Sequence, residues 1–287
     1  MLDALELRLG DRRVGVEDPG TDERRREIEA FLRTLDFPPD AKDYLDESMQ
    51  RITGTLKLVP TPRSSGRVLE LGAYMQMTPA LAKVLGYTDV RGAYIGPLGR
   101  TDTKVSTVGG KEIFRCEVDH FNVERDRFPY ENGQFETVLA CEIIEHLTMD
   151  PMQMLLEIHR VLEEGGTMVL TTPNITSYRA VELVLEQAAN PQLYSRYPNP
   201  SAPEREAEVP HVREYAPVEL QQAVESAGFE VQTLTTEALE GQSTELVRSL
   251  VARGGFSTEL RGELMFCVAR KRSDRPVTRY PEFLYDA

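Results

Sequence analysis

The stretch RVLELGAYMQMTPALAKVLGYTDVRGAYIG, residues 67–96, decides the fold. RVLEL is a short apolar run of strand type. Thr78-Pro79 then opens a helix, with Thr as cap and Pro in the first turn, and Gly86 closes it. DVRGAY follows as a second strand. Working outward, KVSTV and KEIFRCEV flank Gly109-Gly110 as the arms of a hairpin, and FETVLACEI is a fully buried strand. Asp150-Pro151 opens a helix with Met152, Leu155, Leu156, His159 and Leu162 on one face, ended by Gly165-Gly166. TMVLTT is a strand, Pro217 to Ala227 a helix stopped by Gly228, and GELMFCVARK a last strand. Strands alternating with helices predict a mainly parallel α/β sheet with helices on both faces over residues 61–287. Upstream, DERRREIEAFLRTL and AKDYLDESMQRITGTLKL read as two helices broken at Pro38-Pro39, a helical extension over residues 1–60.

Composition narrows the class. The chain has 287 residues and a formal charge of −14, which argues against non-specific binding to nucleic-acid phosphate. The Arg24-Arg25-Arg26 cluster sits among Asp22, Glu23 and Glu27 and reads as a solvated helix face. No run approaches the roughly 20 apolar residues of a membrane span, and the N-terminal residues lack the pattern of a secretory signal. Cys116, Cys141 and Cys267 each fall in a strand and form no close pair, as expected of reduced thiols in a cytoplasm. Residues 190–216 are Pro-rich and polar in a chain of otherwise short connections, so a lid insertion is expected over 174–216, with Tyr178, Tyr194, Tyr197 and Arg213 facing an acceptor.

Ligands of open α/β sheets bind beyond the carboxyl ends of the strands, which here means after RVLEL, DVRGAY, VLACE and LTTPN. Four segments carry a resemblance: VLELGAYMQMTPAL, FPYENGQFETVLACEIIEHL, LLEIHRVLEEGGTMVLTTPN and HVREYAPVELQQAVESAGFEV. In order and spacing they resemble the class I S-adenosylmethionine-dependent methyltransferases over about residues 65–235, most closely the small O-methyltransferases of glycan and secondary-metabolite pathways. The resemblance implies a Rossmann-like seven-stranded sandwich and S-adenosylmethionine as cofactor. Glu70 would fix the cofactor's polar tail, and Gly72 would let the backbone approach it. Leu71, Ala73 and Cys141 would line the same site. The family's loop usually carries two further glycines, where this chain has Ala73-Tyr74-Met75-Gln76-Met77. The acidic residue that usually accepts the ribose hydroxyls is replaced by Tyr94, which can bond one hydroxyl but not chelate two. The adenine partner is expected in DHFNVERD, at Asn122 with the Val123 amide, with Asp119 and Glu124 as rivals. His120 lies near this edge with no evident partner.

In Cys141-Glu142-Ile143-Ile144-Glu145-His146, spacings of three and four put Glu142, Glu145 and His146 on one side of a helical turn. Three readings stay open. Glu145 and His146 could simply order the turn before Asp150-Pro151. His146, with Glu145, could be a catalytic base. Or Glu142, Glu145, His146 and His211 could hold Mg²⁺, Mn²⁺ or Zn²⁺, as the resemblance to small-RNA 2′-O-methyltransferases and ubiquinone-pathway O-methyltransferases implies. The expected activity is O-methylation of a sugar, glycoside or other small-molecule hydroxyl. The alternatives are RNA 2′-O-methylation and a non-catalytic module that binds the cofactor or a partner.

Overall fold

A computed structural model describes residues 19–193, 210–238 and 244–286. Its centre is one eight-stranded sheet in the order β3-β4-β2-β1-β5-β6-β8-β7. The strands are β1 (Arg67–Leu71), β2 (Asp89–Tyr94), β3 (Thr101–Val108), β4 (Lys111–His120), β5 (Phe135–Cys141), β6 (Leu162–Pro173), β7 (Phe229–Glu237) and β8 (Leu264–Lys271). β4, β2, β1, β5 and β6 run parallel, and β8 is antiparallel to both β6 and β7. The count exceeds the expected seven because β3 adds an edge strand through the hairpin at Gly109-Gly110. Both glycines there have positive φ, +56° and +77°, as a two-residue hairpin turn demands.

Among the described residues seven α-helices accompany the strands: α1 (Pro19–Leu32), α2 (Pro39–Leu58), α3 (Thr78–Lys83), α4 (Pro151–Val161), α5 (Tyr178–Gln187), α6 (Pro217–Ser226) and α7 (Glu245–Arg253). The central strands are buried on both sides, and alternate residues feed opposite cores. Leu69, Leu71, Val138, Ala140, Met168 and Leu170 join one cluster with Leu155 and Ile158 of α4 and Leu220 and Val224 of α6. Val68, Leu139 and Val169 join the other with Ile28 of α1, Leu45, Ile52 and Leu56 of α2 and Leu81 of α3. Burial of each such side chain is worth about 1.5–3 kcal/mol, and α1 and α2 thus cover one face of the sheet as part of its second core.

Local chemistry refines three expectations. Thr78 is the first residue of α3 and fully buried, and the cap position falls to Met77, which contributes no side-chain bond. Asp150 does cap α4, accepting from the Gln153 amide at 3.2 Å. Arg24 and Arg25 are not simply solvated: Arg24 donates to the Val59 carbonyl at 2.7 Å, and Arg25 to Thr53 Oγ1 at 3.0 Å, tying α1 to α2. No described helix is long and apolar enough to cross a membrane.

Candidate active site

The parallel strands end along one edge of the sheet, and the groups expected to do chemistry gather there. Glu70, one residue from the end of β1, is 1% exposed, and its Oε2 has no hydrogen-bond partner among the described residues. Burial pushes its carboxyl up to about 7, with the Thr78 hydroxyl pulling the other way. Leu71 follows, buried, and then Gly72 with φ +69°; a Cβ there would face the Ile143 side chain at 3.4 Å. The Ala73 amide donates to the Ala93 carbonyl at 3.0 Å, so the loop after β1 is stitched to the end of β2. Within the following loop Met75 adopts φ +70°, a left-handed conformation that is costly with a side chain. Its sulfur lies 3.9 Å from Cys116 Sγ. An orphaned buried carboxyl oxygen beside a left-handed glycine fits the polar, cationic end of S-adenosylmethionine.

On the β2–β4 side the polar groups are occupied by the chain itself. Asp119 accepts from Arg91 Nε at 2.7 Å and Nη2 at 3.0 Å, from Thr101 Oγ1 at 2.6 Å and from the Tyr130 hydroxyl at 2.9 Å. Burial works against its charge, but these donors outweigh it and hold the carboxyl below the usual aspartate range. Asn122 Oδ1 accepts from the Glu124 amide at 2.9 Å, closing a turn, and Val123 packs against the core. Glu124 in turn accepts from the amides of Met149 and Asp150. Tyr94 ends β2 and donates to the Tyr74 hydroxyl at 2.9 Å. His120 gains a partner after all, Asp102 Oδ2 at 3.0 Å.

Beyond β5 the arrangement differs. Cys141 is buried, and Glu142 turns the chain with φ +53°, its Oε1 buried without a partner among the described residues. Ile144–His146 form a short 3-10 turn rather than α-helix. Glu145 is wholly buried; its Oε2 accepts from Thr172 Oγ1 at 2.9 Å, and its Oε1 has no partner among the described residues. Burial first, and the neighbouring Glu142 charge second, raise its carboxyl well above the usual range.

The segment after residue 209 is brought to this turn by its backbone, with the Val212 and Arg213 amides donating to the Glu145 carbonyl at 2.8 and 3.2 Å. His146 and His211 thereby meet edge to face, ring centroids 4.7 Å apart. One ligand atom from each of Glu145, His146 and His211 falls within 4.8 Å of the others, and Glu142 does not join this group.

Three residues at this site escaped the sequence reading. Glu214, 2% exposed, faces His211 Nδ1 at 3.0 Å; its spacing of three from His211 was the available signal. Thr172 orients Glu145. Arg51, on α2, donates to the Tyr44 hydroxyl at 2.6 Å. Burial opposes its charge, but Glu142 and Tyr44 keep the guanidinium more basic than usual, and nothing local in the sequence marks it. Of the expected acceptor residues, Tyr178 is taken up by the Arg248 guanidinium, 5.4 Å from its ring, and by the Thr258 carbonyl. Arg213 pairs with Glu219 at 2.7 Å, and Tyr194 and Tyr197 lie outside the described residues. Asn174, expected near the chemistry, is fully buried, with its amide given to the Leu260 and Gly262 carbonyls.

Residues 42–234 match the sequence family described as "Methyltransferase domain". No curated protein sequence matches. Among similar solved structures, an S-adenosylmethionine-dependent methyltransferase from Mesorhizobium loti is 13% identical, covering 78% of this chain and 98% of its own, with a TM-score of 0.45. One from Archaeoglobus fulgidus is 16% identical, covering 86% and 94%, also at 0.45. The family match spans well over half of the chain and includes α2, the sheet through β6 and the Glu145–His211 turn. The chain belongs to the methyltransferase-domain family and is a class I S-adenosylmethionine-dependent methyltransferase.

Proposed function

We propose that this methyltransferase acts on a hydroxyl group of a small molecule, such as a sugar or glycoside. One observation carries the reading: Glu145, His146 and His211 converge at the carboxyl end of β5, with His211 held by the buried Glu214. The cofactor supplies an electrophilic methyl on a sulfonium. An amine with a free lone pair needs only to be placed in line with it. A hydroxyl is a poor nucleophile until its proton is shared or removed, and a cluster of imidazoles and a carboxylate addresses that need. His146 is the candidate base, with Glu145 beside it.

A second reading is favoured by the orphaned Glu145 Oε1. Two imidazoles and a carboxylate suit a divalent cation, and a carboxylate behind a histidine is the usual means of orienting such a ligand. Glu145, His146 and His211 would hold the ion, and it would lower the pKa of a bound hydroxyl. Glu142 would sit outside the ligand set. Glu70, Gly72 and the loop through Ala73 would hold the cofactor, with Arg51 close to Glu142. Among rivals, an RNA substrate accords poorly with the formal charge of −14.

The test is transfer of labelled methyl to a panel of sugars, glycosides, phenols and matched amines, with and without a chelator, for the parent and His211→Ala. Transfer confined to hydroxyl acceptors supports the reading. Chelator inhibition mimicked by His211→Ala assigns the ion. Activity insensitive to both leaves His146 as base, and transfer to amines alone overturns the proposal.

A further inference from the structure

The β5 side, where His146 and Glu145 stand, must receive the methyl end of the cofactor. Strand order then dictates the rest. β1, to which Glu70 and Gly72 assign the amino-acid tail, lies between β5 and β2, and β4 lies beyond β2, so a nucleoside directed away from the acceptor side lies over β2 and β4. The ribose of that nucleoside presents two adjacent hydroxyl donors. A free carboxylate would accept both, yet the described carboxylates of this edge are engaged. Asp119 is held by Arg91, Thr101 and Tyr130, and Asp102 by Arg100 and His120. Glu124 takes two backbone amides and Asp126 a third.

What the edge offers instead is aromatic. Tyr94 stands at the last position of β2, in register with His120 of β4. Its ring meets Tyr74 edge to face at 5.1 Å and His120 at 6.3 Å. The two tyrosine hydroxyls are hydrogen-bonded to each other at 2.9 Å, and each phenol oxygen remains a neutral acceptor. Tyr74 is 58% exposed, and Ile95 and Leu98, just after β2, are 68% and 56% exposed. These are flat and apolar surfaces of the kind that stack on a base and sugar.

We infer that Tyr94 and Tyr74 form a neutral clamp for the cofactor's nucleoside, so that this enzyme binds the ribose without a charged acceptor and tolerates loss of either ribose hydroxyl. This rests on the cofactor reading above. A hydroxyl bonded to a neutral group is worth about two- to tenfold in affinity, and one bonded to a carboxylate about ten- to hundredfold.

The experiment is calorimetric titration of S-adenosylhomocysteine and its 2′-deoxy and 3′-deoxy forms into the parent, Tyr94→Phe, Tyr74→Phe and Tyr94→Asp proteins. The parent should lose less than about tenfold for either deoxy form. Tyr94→Phe, which keeps the ring and the fold, should weaken S-adenosylhomocysteine several-fold and bind it and the deoxy forms more nearly alike. Tyr94→Asp should steepen the deoxy penalty beyond about tenfold. If the parent binds S-adenosylhomocysteine but loses about a hundredfold on either deoxy form, or if Tyr94→Phe and Tyr74→Phe bind like the parent, the clamp is wrong and the cofactor assignment stands. Absence of any binding by S-adenosylhomocysteine would overturn both.

Discussion

The two halves of the sheet's carboxyl edge treat their acids in opposite ways. Over β2 and β4, Asp119 is surrounded by donors from its own chain and held below the usual aspartate range. Over β1 and β5, Glu70 and Glu145 are buried and Glu142 is partly buried, and each has one buried carboxyl oxygen lacking a partner among the described residues. Buried polar groups are normally satisfied, so the orphaned oxygens concentrated on one half are the ones we assign to a bound ligand. The acids of the occupied half are tied into the framework, and stability should reside there; the acids of the unsatisfied half are the ones we assign to the ligand. The two classes should also respond to pH with opposite sign.

Asp119→Ala should be the most damaging change of those that separate the halves. It strands Arg91, Thr101 and Tyr130, and because Arg91 can partly rehydrate, the cost should be about 2–3 kcal/mol, near the low end for a broken buried pair. Denaturant unfolding would measure it, with S-adenosylhomocysteine affinity of the folded protein unchanged. Asp119 also has a depressed pKa, so its contribution is present above its unfolded value of 3.8 and lost as pH falls through the lower folded value.

Asp150 tests the framework at a second point. It caps α4, accepts from Arg279 at 3.0 Å and receives the Tyr285 hydroxyl at 2.5 Å, so it pins the C-terminal residues to the α4 start. Asp150→Ala should cost about 1–2 kcal/mol, the range of a lost cap. A melting temperature equal to the parent's would show that the pinning contributes nothing.

Glu70→Gln should act on stability with the reverse sign. With the folded carboxyl at about 7 and the unfolded value at 4.5, the native state keeps its proton over that window while the unfolded chain releases it. Parent stability should therefore fall as pH rises from about 4.5 to 7 and level off above. Glu70→Gln should lack that fall and be more stable than the parent at pH 8, while weakening S-adenosylhomocysteine about tenfold. A variant that is less stable at pH 8 and binds normally would place Glu70 in the framework instead.

The fold was largely legible because its signals are local. RVLEL, DVRGAY and FETVLAC show strand character within single runs, and Gly109-Gly110 and Asp150-Pro151 punctuate the chain by their own backbone preferences. β7 and α7 escaped because FEVQTLTTE is only half-buried and ELVRSLVAR has little apolar content around it. The site was legible in part. Glu70, Gly72, Glu145 and His146 lie in contiguous segments at strand ends, and His211 was placed beside them by the resemblance. That Asn122 closes a turn through the Glu124 amide was not legible, because only the folded backbone presents that amide. Glu142 looked like a fourth ligand because a helical turn was assumed; the left-handed residue and 3-10 turn separate it from the other three. Arg51 and Glu214 act across distances in sequence that spacing does not encode.

The most direct test is the rate of labelled methyl transfer by His146→Ala, at saturating cofactor, to the hydroxyl acceptor the parent prefers. The account predicts a fall of about 10² or more, the contribution of a positioned base or an ion ligand, with S-adenosylhomocysteine affinity within about twofold of the parent. Transfer at the parent's rate would remove the Glu145–His146–His211 cluster from the chemistry and with it the reason for assigning a hydroxyl acceptor.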